Sequence, residues 1–368
     1  MSTLARRCSY TLLNVLTKRI YVKTSRITNS PLLFQGIAGI RSFATTAKME
    51  SKSPYKGTSE RGLSKEIAIP VPWGILAGKT FGDSTKPAVL CLHGWLDNCN
   101  SFDKLIPLLP KDKFYVCVDL PGHGLSSHIS LGMFYTLFFY VATVERIVNH
   151  FKWKKFSFLS HSLGANISGM YSGTYPDKVD KLIIIDVIGV FPLDGKLAVE
   201  NLRSSIESYL KYEDKLSSAA PRYTYEKAKE RLLVANKSLD SHSADILLER
   251  GTTRHEDGLY TYRRDLRHNY RNPVFATPEV AMHLLRNITA STQHIMASKG
   301  RTQTSVAARS ENVSRLFDCF TSVKKREYVV VEGDHHLHMV NAEEVAKQIS
   351  PFLNEDIPIL TTSVETSK

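Results

Sequence analysis

Short runs of consecutive apolar residues alternate along this chain with longer segments in which apolar residues recur every three or four positions. The runs lie within residues 88–98, 114–127, 156–165, 181–189 and 327–336. Continuous apolar runs are typical of strands buried on both faces of a parallel sheet, and the periodic segments between them predict helices, for example over 102–110 and 137–151. The alternation predicts an α/β fold with a mostly parallel central sheet and helices on both faces.

Each apolar run ends in a polar or small residue of the kind that active sites use. These residues are Gly94, Asp119, Ser162, Asp186 and His335. In parallel sheets the carboxyl ends of the strands meet at one edge, and ligands bind there. We therefore expect these five positions to lie along one rim.

The alternation is interrupted once, over residues 190–288. One amphipathic helix is marked by Val199, Leu202, Ile206 and Leu210, two more are predicted within 225–237 and 245–251, and Thr277 begins a fourth. Such an insertion between core strands is typical of a helical cap that closes over a site. The predicted organisation is a leader (1–48), a polar linker (49–64), the first part of the core (65–189, opening on a hairpin at 67–82), the cap (190–288), the second part of the core (289–356) and a C-terminal tail (357–368).

The segment "FSFLSHSLGA" (156–165) predicts a sharp strand-to-helix turn at Ser162. Such a turn exposes its central residue and needs small residues two places before and after it. Gly164 meets this need. Ser160 stands where the G-x-S-x-G pattern has its first glycine, which weakens the match.

Several motifs in a fixed order resemble those of one family. The order Ser162, Asp186, His335, with "DLPGHGLSSH" at 119–128 and "GDHHLHM" at 333–339, resembles the α/β-hydrolase fold. More narrowly, "CLHGWLDNCNSFDKLIPLLP" and "RGTTRHEDGLYTYRRDLR" are similar to the serine-hydrolase-like (kraken-like) subgroup. The resemblance covers about residues 65–355 and implies a reaction type better than a substrate.

The resemblance and the chemistry of acyl transfer together suggest roles for individual residues. Ser162 is the candidate nucleophile, and His335 is the candidate base because it stands where the family carries that residue; His336 and His338 are its rivals. The backbone N–H groups of Leu163 and Trp95 are the candidate oxyanion donors. The Trp95 ring either walls the pocket or plugs the core.

The acid of the catalytic triad is the least determined position. Many hydrolases of this fold carry it after the strand that follows the cap, but residues 292–310 contain no Asp or Glu. Asp186 is the preferred candidate because it ends a core strand on the same rim as Ser162. Glu311, a purely structural role for Asp186, and the absence of any acid remain as alternatives.

We therefore expect a serine hydrolase that cleaves a small-molecule carboxylic ester or thioester through an acyl-serine intermediate. The alternative is a catalytically inactive hydrolase fold used for binding, favoured by Ser160 and by the undetermined acid. A dehalogenase or epoxide hydrolase is disfavoured, since those enzymes carry an aspartate at the position of Ser162. Acyl chain length and oligomeric state are not predicted.

Composition narrows the candidate chemistry further. The chain is 42% hydrophobic and 10% aromatic, with no run of about 20 apolar residues, so no transmembrane segment is predicted. Its five cysteines show no metal-binding spacing, and we expect neither a metal nor a cofactor. The glycines of "LPGHGLSS" predict a tight turn. Acidic residues among the arginines of 250–267 favour ion pairs over a phosphate site.

The positive charge belongs mainly to the N-terminal leader. Eight of the twelve net charges fall within residues 1–48, which contain no Asp or Glu, so nucleic-acid binding is not expected. Leu12, Leu16 and Ile20 share one helical face beside Lys18 and Arg19, which resembles a mitochondrial transit peptide. We expect mitochondrial localisation, with a disordered tail on a cytoplasmic or peroxisomal protein as the alternative. "VETSK" lacks a peroxisomal Ser-Lys-Leu ending, and initiation at Met49 would yield a leaderless form.

Overall fold

The computed structural model describes residues 64–192, 195–216, 218–270, 276–300 and 311–355. The predicted leader, nearly all of the predicted linker and the predicted C-terminal tail lie outside these residues. Eight strands of the described part form one sheet in the order β1-β2-β4-β3-β5-β6-β9-β10. They are β1 (Ser64–Val71), β2 (Gly74–Phe81), β3 (Ala88–Leu92), β4 (Phe114–Val118), β5 (Phe156–His161), β6 (Val179–Ile185), β9 (Ser291–Ala297) and β10 (Arg326–Val331).

The sheet is mostly parallel, which confirms the prediction. Strands β1 and β2 form an antiparallel hairpin, and β2 pairs antiparallel with β4. All pairings from β4 through β3, β5, β6 and β9 to β10 are parallel. The carboxyl ends of these six strands therefore meet at one rim.

Helices cover both faces of the sheet and bury two separate apolar cores. They are α1 (Leu137–Phe151), α2 (Leu163–Thr174), α3 (Ala198–Leu216), α4 (Tyr225–Ala235), α5 (Ser241–Gly251), α6 (Pro278–Arg286), α7 (Glu311–Phe317), α8 (Leu337–Val340) and α9 (Ala342–Asn354). Helices α1, α2 and α6 pack on one face. Helix α9 and the turns between β3 and β4 pack on the other.

Two local predictions were wrong. Residues 102–110 form two short 3₁₀ turns, Cys99–Phe102 and Ile106–Leu108, and no α-helix. Pro107 lacks a backbone N–H and clashes with a preceding helical turn, so a longer helix cannot form across it. Strand β10 lies at the edge of the sheet, and its side chains are largely exposed at Tyr328 and Val330. An apolar run therefore does not by itself show burial on both faces.

The segment between β6 and β9 contains α3 to α6 and a small hairpin, β7 (Thr252–Arg254) with β8 (Tyr260–Tyr262). Helices α4 and α5 share a small core that also includes Met339 from α8. Helix α3 carries the predicted apolar stripe, but the side chains of that stripe are 45–78% exposed: Val199, Leu202, Ile206 and Leu210. Tyr209, in contrast, is buried and stacks on Phe134. In this structure α3 thus packs through an aromatic residue of its more polar face. Whether the segment acts as a cap stays a prediction.

Within the described ranges, no helix is both long enough and apolar enough to cross a bilayer.

Candidate active site

Ser162 occupies a sharp turn between a strand and a helix. Strand β5 ends at His161, helix α2 begins at Leu163, and Ser162 between them has φ 51° and ψ −111°. A residue with a Cβ rarely adopts a positive φ, and such strain persists where the surrounding structure enforces it. The half-buried Ser162 side chain is held at the rim of the sheet.

The residues beside Ser162 show why the turn needs small side chains. A Cβ added at Gly164 would lie 2.1 Å from the carbonyl oxygen of Leu92, so only glycine fits where α2 crosses β3. Ser160 fits because its Oγ lies 2.7 Å from Ser168 Oγ and 3.1 Å from the carbonyl oxygen of Ile183. The serine in place of the first glycine is therefore accommodated without a buried hydroxyl left unpaired.

The structure brings Ser162, His335 and Asp186 together in one hydrogen-bonded row. His335 Nε2 lies 3.0 Å from Ser162 Oγ, and His335 Nδ1 lies 2.6 Å from Asp186 Oδ2. Since the carboxylate accepts, Nδ1 carries the proton and Nε2 is free to accept from the serine hydroxyl. This is the tautomer that a general base requires.

The two neighbouring histidines point elsewhere. His336 Nε2 lies 3.2 Å from Asp97 Oδ2, and its Nδ1 lies 2.6 Å from Ser238 Oγ. The fully buried His338 ring packs 4.2 Å from the ring of His161. Of the three candidate bases, only His335 contacts Ser162.

Asp186 is enclosed by the segment after β9, where many hydrolases of this fold carry the acid. Its side chain is fully buried, its φ is 54°, and its Oδ1 accepts a hydrogen bond of 3.1 Å from the backbone N–H of Ala297. A Cβ added at Gly300 would lie 2.0 Å from Oδ1. The segment after β9 thus contributes a glycine and an N–H group that hold a carboxylate from another strand. Glu311 lies at the start of α7.

The two candidate oxyanion donors are available. Leu163 is the first residue of α2, where a backbone N–H has no partner inside the helix. Trp95 lies in the turn that follows His93 and Gly94. Among the described residues neither N–H has an acceptor. The Trp95 ring is 48% exposed and donates from Nε1 to the carbonyl oxygen of His268 at 3.0 Å. The ring is therefore not a plug over the core.

Buried histidines hold the loop that carries Trp95. His93 Nε2 accepts from the backbone N–H of Leu120 at 2.9 Å, and His123 Nε2 accepts from that of Leu96 at 3.2 Å. Burial lowers the pKa of His93, and it lowers the pKa of His123 well below its usual value, so both rings are neutral acceptors. Sequence reasoning missed this support, although two histidines followed by glycines were its visible signal.

The arginine-rich segment forms ion pairs, as predicted. Arg250 Nε donates to Asp119 at 2.7 Å and Arg250 Nη1 to Glu66 at 2.8 Å. Arg267 pairs with Asp265 at 2.7 Å. Arg250 therefore joins the inserted segment to the core, the Arg267–Asp265 pair lies within the segment, and neither arginine forms a free anion site.

Two further features bear on ligand binding. Gly122 and Gly124 have positive φ, and a Cβ at Gly124 would lie 2.3 Å from the Asp119 carboxylate carbon, so this loop is a tight turn around Asp119. An open cleft of about 360 Å³ lies beside His335. It is lined by Val234–Ser238, Lys299 and Asp334 together with His335.

Comparisons with known proteins agree with this fold. A profile of the alpha/beta hydrolase fold matches residues 87–228. A serine hydrolase-like protein of Danio rerio is 41% identical over 310 residues, covering 84% of this chain and 94% of that protein. A probable serine hydrolase of Drosophila melanogaster is 35% identical over 295 residues, covering 79% and 88%.

Two solved structures have a similar fold. A hypothetical protein from Pseudomonas aeruginosa superposes with a TM-score of 0.70 at 28% identity, covering 79% of this chain and all of the other. The thioesterase domain from the curacin biosynthetic pathway superposes with a TM-score of 0.65 at 22% identity, covering 78% and 99%. The second likeness concerns the fold alone.

Proposed function

Because the chain belongs to the serine hydrolase-like group of the α/β-hydrolase fold family, we propose that it hydrolyses carboxylic esters or thioesters through an acyl-serine intermediate. The observation that carries this proposal is the row Ser162–His335–Asp186, with contacts of 3.0 and 2.6 Å. Each member of the row comes from the end of a different strand. The row has the nucleophile, base and orienting acid in the order that acyl transfer requires.

The first half of the reaction acylates the enzyme. Ser162 Oγ attacks the substrate carbonyl carbon while His335 Nε2 takes the hydroxyl proton. The buried Asp186 carboxylate holds His335 Nδ1–H and stabilises the imidazolium that forms. The N–H groups of Leu163 and Trp95 stabilise the oxyanion, and His335 then donates its proton to the leaving alcohol or thiol.

The second half releases the acyl group. His335 Nε2, neutral again, accepts a proton from a water molecule as that water attacks the acyl-serine carbonyl. The tetrahedral intermediate collapses, and the proton returns to Ser162 Oγ. We propose the cleft beside His335 as the route for this water and for the departing group, since the cleft reaches the ring that exchanges the proton.

The binding-protein alternative has less support. It rested on Ser160 and on the undetermined acid, yet Ser160 is hydrogen-bonded to Ser168 and Asp186 contacts His335. A fold kept only for binding has no need of a base in the tautomer that accepts from a strained serine.

Labelling with a fluorophosphonate probe tests the proposal. We expect the probe to modify Ser162, and Ser162→Ala to abolish labelling and to lower hydrolysis of a p-nitrophenyl ester by about a thousandfold or more. Ser160→Ala is the matched control, since it removes a neighbouring hydroxyl that does not contact His335. Modification at Ser160, or full turnover by Ser162→Ala, would falsify the assignment.

A further inference from the structure

Three buried residues next to the candidate catalytic row form a second cluster of their own. Asp97, His161 and His336 are 3%, 0% and 4% exposed. Asp97 Oδ2 lies 3.2 Å from His336 Nε2 and 3.7 Å from His161 Nδ1, and one atom from each residue lies within 4.8 Å of the others. None of these side chains contacts Ser162.

His161 has one ring nitrogen without a hydrogen-bond partner among the described residues. Its Nε2 lies 2.9 Å from the carbonyl oxygen of His335, and because a carbonyl only accepts, Nε2 carries the proton. In the neutral ring Nδ1 is therefore a bare lone pair. It is fully buried and lies 3.7 Å from a carboxylate oxygen of Asp97, so two acceptors lie close together without a hydrogen bond between them. An arrangement of this kind is stabilised by a cation between them.

Both imidazoles are supported as metal ligands usually are. A ligating histidine donates its second ring N–H to a carbonyl, carboxylate or similar group, which fixes the tautomer and the ring orientation. His161 donates to the His335 carbonyl, and His336 Nδ1 lies 2.6 Å from Ser238 Oγ, which can accept its proton. Without a metal, His336 Nε2–H donates to the Asp97 carboxylate. A metal ion would replace this proton, and the proton that remains, on Nδ1, would be held by Ser238 Oγ.

The backbone closes over the cluster at a glycine. A Cβ added at Gly94 would lie 2.7 Å from His161 Nδ1 and 2.8 Å from Asp97 Oδ2. Any other residue there would fill the space beside the two ligand atoms. Gly94 therefore leaves a small polar cradle at this position.

We propose that Asp97, His161 and His336 bind a divalent transition-metal ion of the zinc class. Tetrahedral ligand atoms about 2.0–2.2 Å from zinc lie about 3.3–3.6 Å from one another. Asp97 Oδ2 lies at a similar distance from the two imidazoles, 3.2 Å from His336 Nε2 and 3.7 Å from His161 Nδ1. Two imidazoles and one carboxylate suit Zn²⁺ and its neighbours, whereas Mg²⁺ and Ca²⁺ prefer oxygen ligands. A water molecule completes the fourth position.

The three proposed metal ligands lie next to residues of the candidate active site in the chain. Asp97 lies two residues after Trp95, His161 immediately before Ser162, and His336 immediately after His335. One bound ion would therefore join the three segments that carry the oxyanion donor, the nucleophile and the base. The open cleft lies on the side of Ser238, which contacts His336, and of His335, which precedes His336 in the chain.

Metal binding is tested on the untagged full chain after removal of adventitious metal with a chelator. We expect one Co²⁺ per chain to give the visible absorption of a four-coordinate site, and Zn²⁺, unlike Mg²⁺, to displace it. Asp97→Asn and His336→Gln should each weaken Zn²⁺ binding by at least about a hundredfold, and Ser238→Ala by about tenfold, because it removes only the outer support. Circular dichroism checks that each variant is folded. If Asp97→Asn or His336→Gln does not fold, the Zn²⁺ affinity of Ser238→Ala still tests the proposal.

His335→Gln is the matched control. It removes the adjacent imidazole, and with it the proposed hydrolase activity, but leaves the three ligands and the backbone carbonyl that supports His161. We expect it to bind Zn²⁺ within about threefold of the wild type, so metal binding and hydrolysis can fail independently. Loss of binding in His335→Gln, or unchanged affinity in both Asp97→Asn and His336→Gln, overturns the proposal.

Discussion

At the scale of single residues, the segment after β10 gives each of its three histidines a different environment. His335 contacts Ser162 and Asp186, His336 contacts Asp97 and Ser238, and His338 is enclosed beside His161. Burial lowers the pKa of His338 to about 3, so its ring stays neutral at any physiological pH. Substitutions at three neighbouring positions should therefore have three separable effects.

Asp186→Asn tests the orienting acid. An amide can present its NH₂ group to His335 Nδ1 and so favour the tautomer in which Nε2 is protonated and cannot accept from Ser162. We expect turnover of a test ester to fall by about ten-thousandfold with the fold intact, as when the acid of a triad is replaced in this way. Steady-state kinetics beside circular dichroism is the measurement.

Glu311→Gln is the comparison for this experiment. It neutralises the rival acid and should leave turnover close to that of the wild type. Wild-type rates in a folded Asp186→Asn variant, together with a crippled Glu311→Gln enzyme, would transfer the role to Glu311.

Single residues also show how far sequence reasoning reaches. Ser162 was identifiable because a strand, a turn and a helix leave a local pattern, and His335 because a known family carries its base there. The pairing of Asp97 with His336 joins residues 239 positions apart, and neither local pattern nor spacing records it. The acid could be narrowed to a few candidates but not chosen, since its partner depends on which strand ends become neighbours.

At the scale of elements, Arg267 ties the inserted segment to the loop that precedes α1. Its guanidinium donates to Asp265 at 2.7 Å and to the carbonyl oxygens of Ile129 and Ser130 at 2.6 and 2.8 Å. Arg267 and Asp265 are both almost fully buried. Burial alone would raise the pKa of Asp265, but the hydrogen bonds from Arg267 outweigh it and leave the pKa below its usual value.

Arg267→Met should destabilise the protein by about 3–5 kcal/mol at pH 7, because it leaves a buried carboxylate without its main partner. The Asp265 pKa is lowered on folding, so this contribution is present above the unfolded pKa and is lost as the pH falls through the folded value. The measured loss should therefore shrink below about pH 4. Urea unfolding at pH 7 and at about pH 3 measures this difference.

Asp265→Asn combined with Arg267→Met is the control for this prediction, since it removes the charge that would be left unpaired. We expect the double variant to recover part of the loss at pH 7. An equal loss at both pH values would mean that Arg267 acts through packing alone.

Elements were predictable where one periodicity dominates. Helix α1 spans Leu137–Phe151, the range that the pattern predicted, and Thr136 caps it by accepting from the N–H of Phe139. The α3 stripe predicted a helix correctly but not its packing, because Tyr209 finds Phe134 and Tyr270 in loops far along the chain. Periodicity in the sequence predicts that a helix forms, whereas the tertiary structure decides which residues that helix packs against.

At the scale of the whole molecule, residues 1–48 are set apart from the rest of the chain by their charge. Residues 1–48 carry eight positive charges and no acidic residue. We propose that this segment directs the chain to mitochondria and is removed there, leaving a mature protein that begins near residues 42–50.

Fusing residues 1–50 to a fluorescent reporter tests the leader directly. We expect the reporter to enter mitochondria and to lose the leader, as seen by imaging and by sequencing the new N-terminus. The matched control replaces Lys18, Arg19, Lys23 and Arg26 by glutamine, which keeps the apolar positions and should leave the reporter diffuse. A diffuse signal from the unaltered fusion would leave only the disordered-tail interpretation.

The backbone conformation of Ser162 lowers the stability of the fold but presents the hydroxyl for chemistry. A positive φ at a residue with a Cβ costs about 1–3 kcal/mol, and the protein tolerates this because it presents the hydroxyl. Ser162→Gly removes both the hydroxyl and the strain, whereas Ser162→Ala removes only the hydroxyl. We expect both to be inactive but the glycine variant to be more stable than the alanine variant by about 1 kcal/mol, measured by chemical unfolding. Selection for stability alone would therefore remove this serine, so its presence reflects selection for something other than the fold.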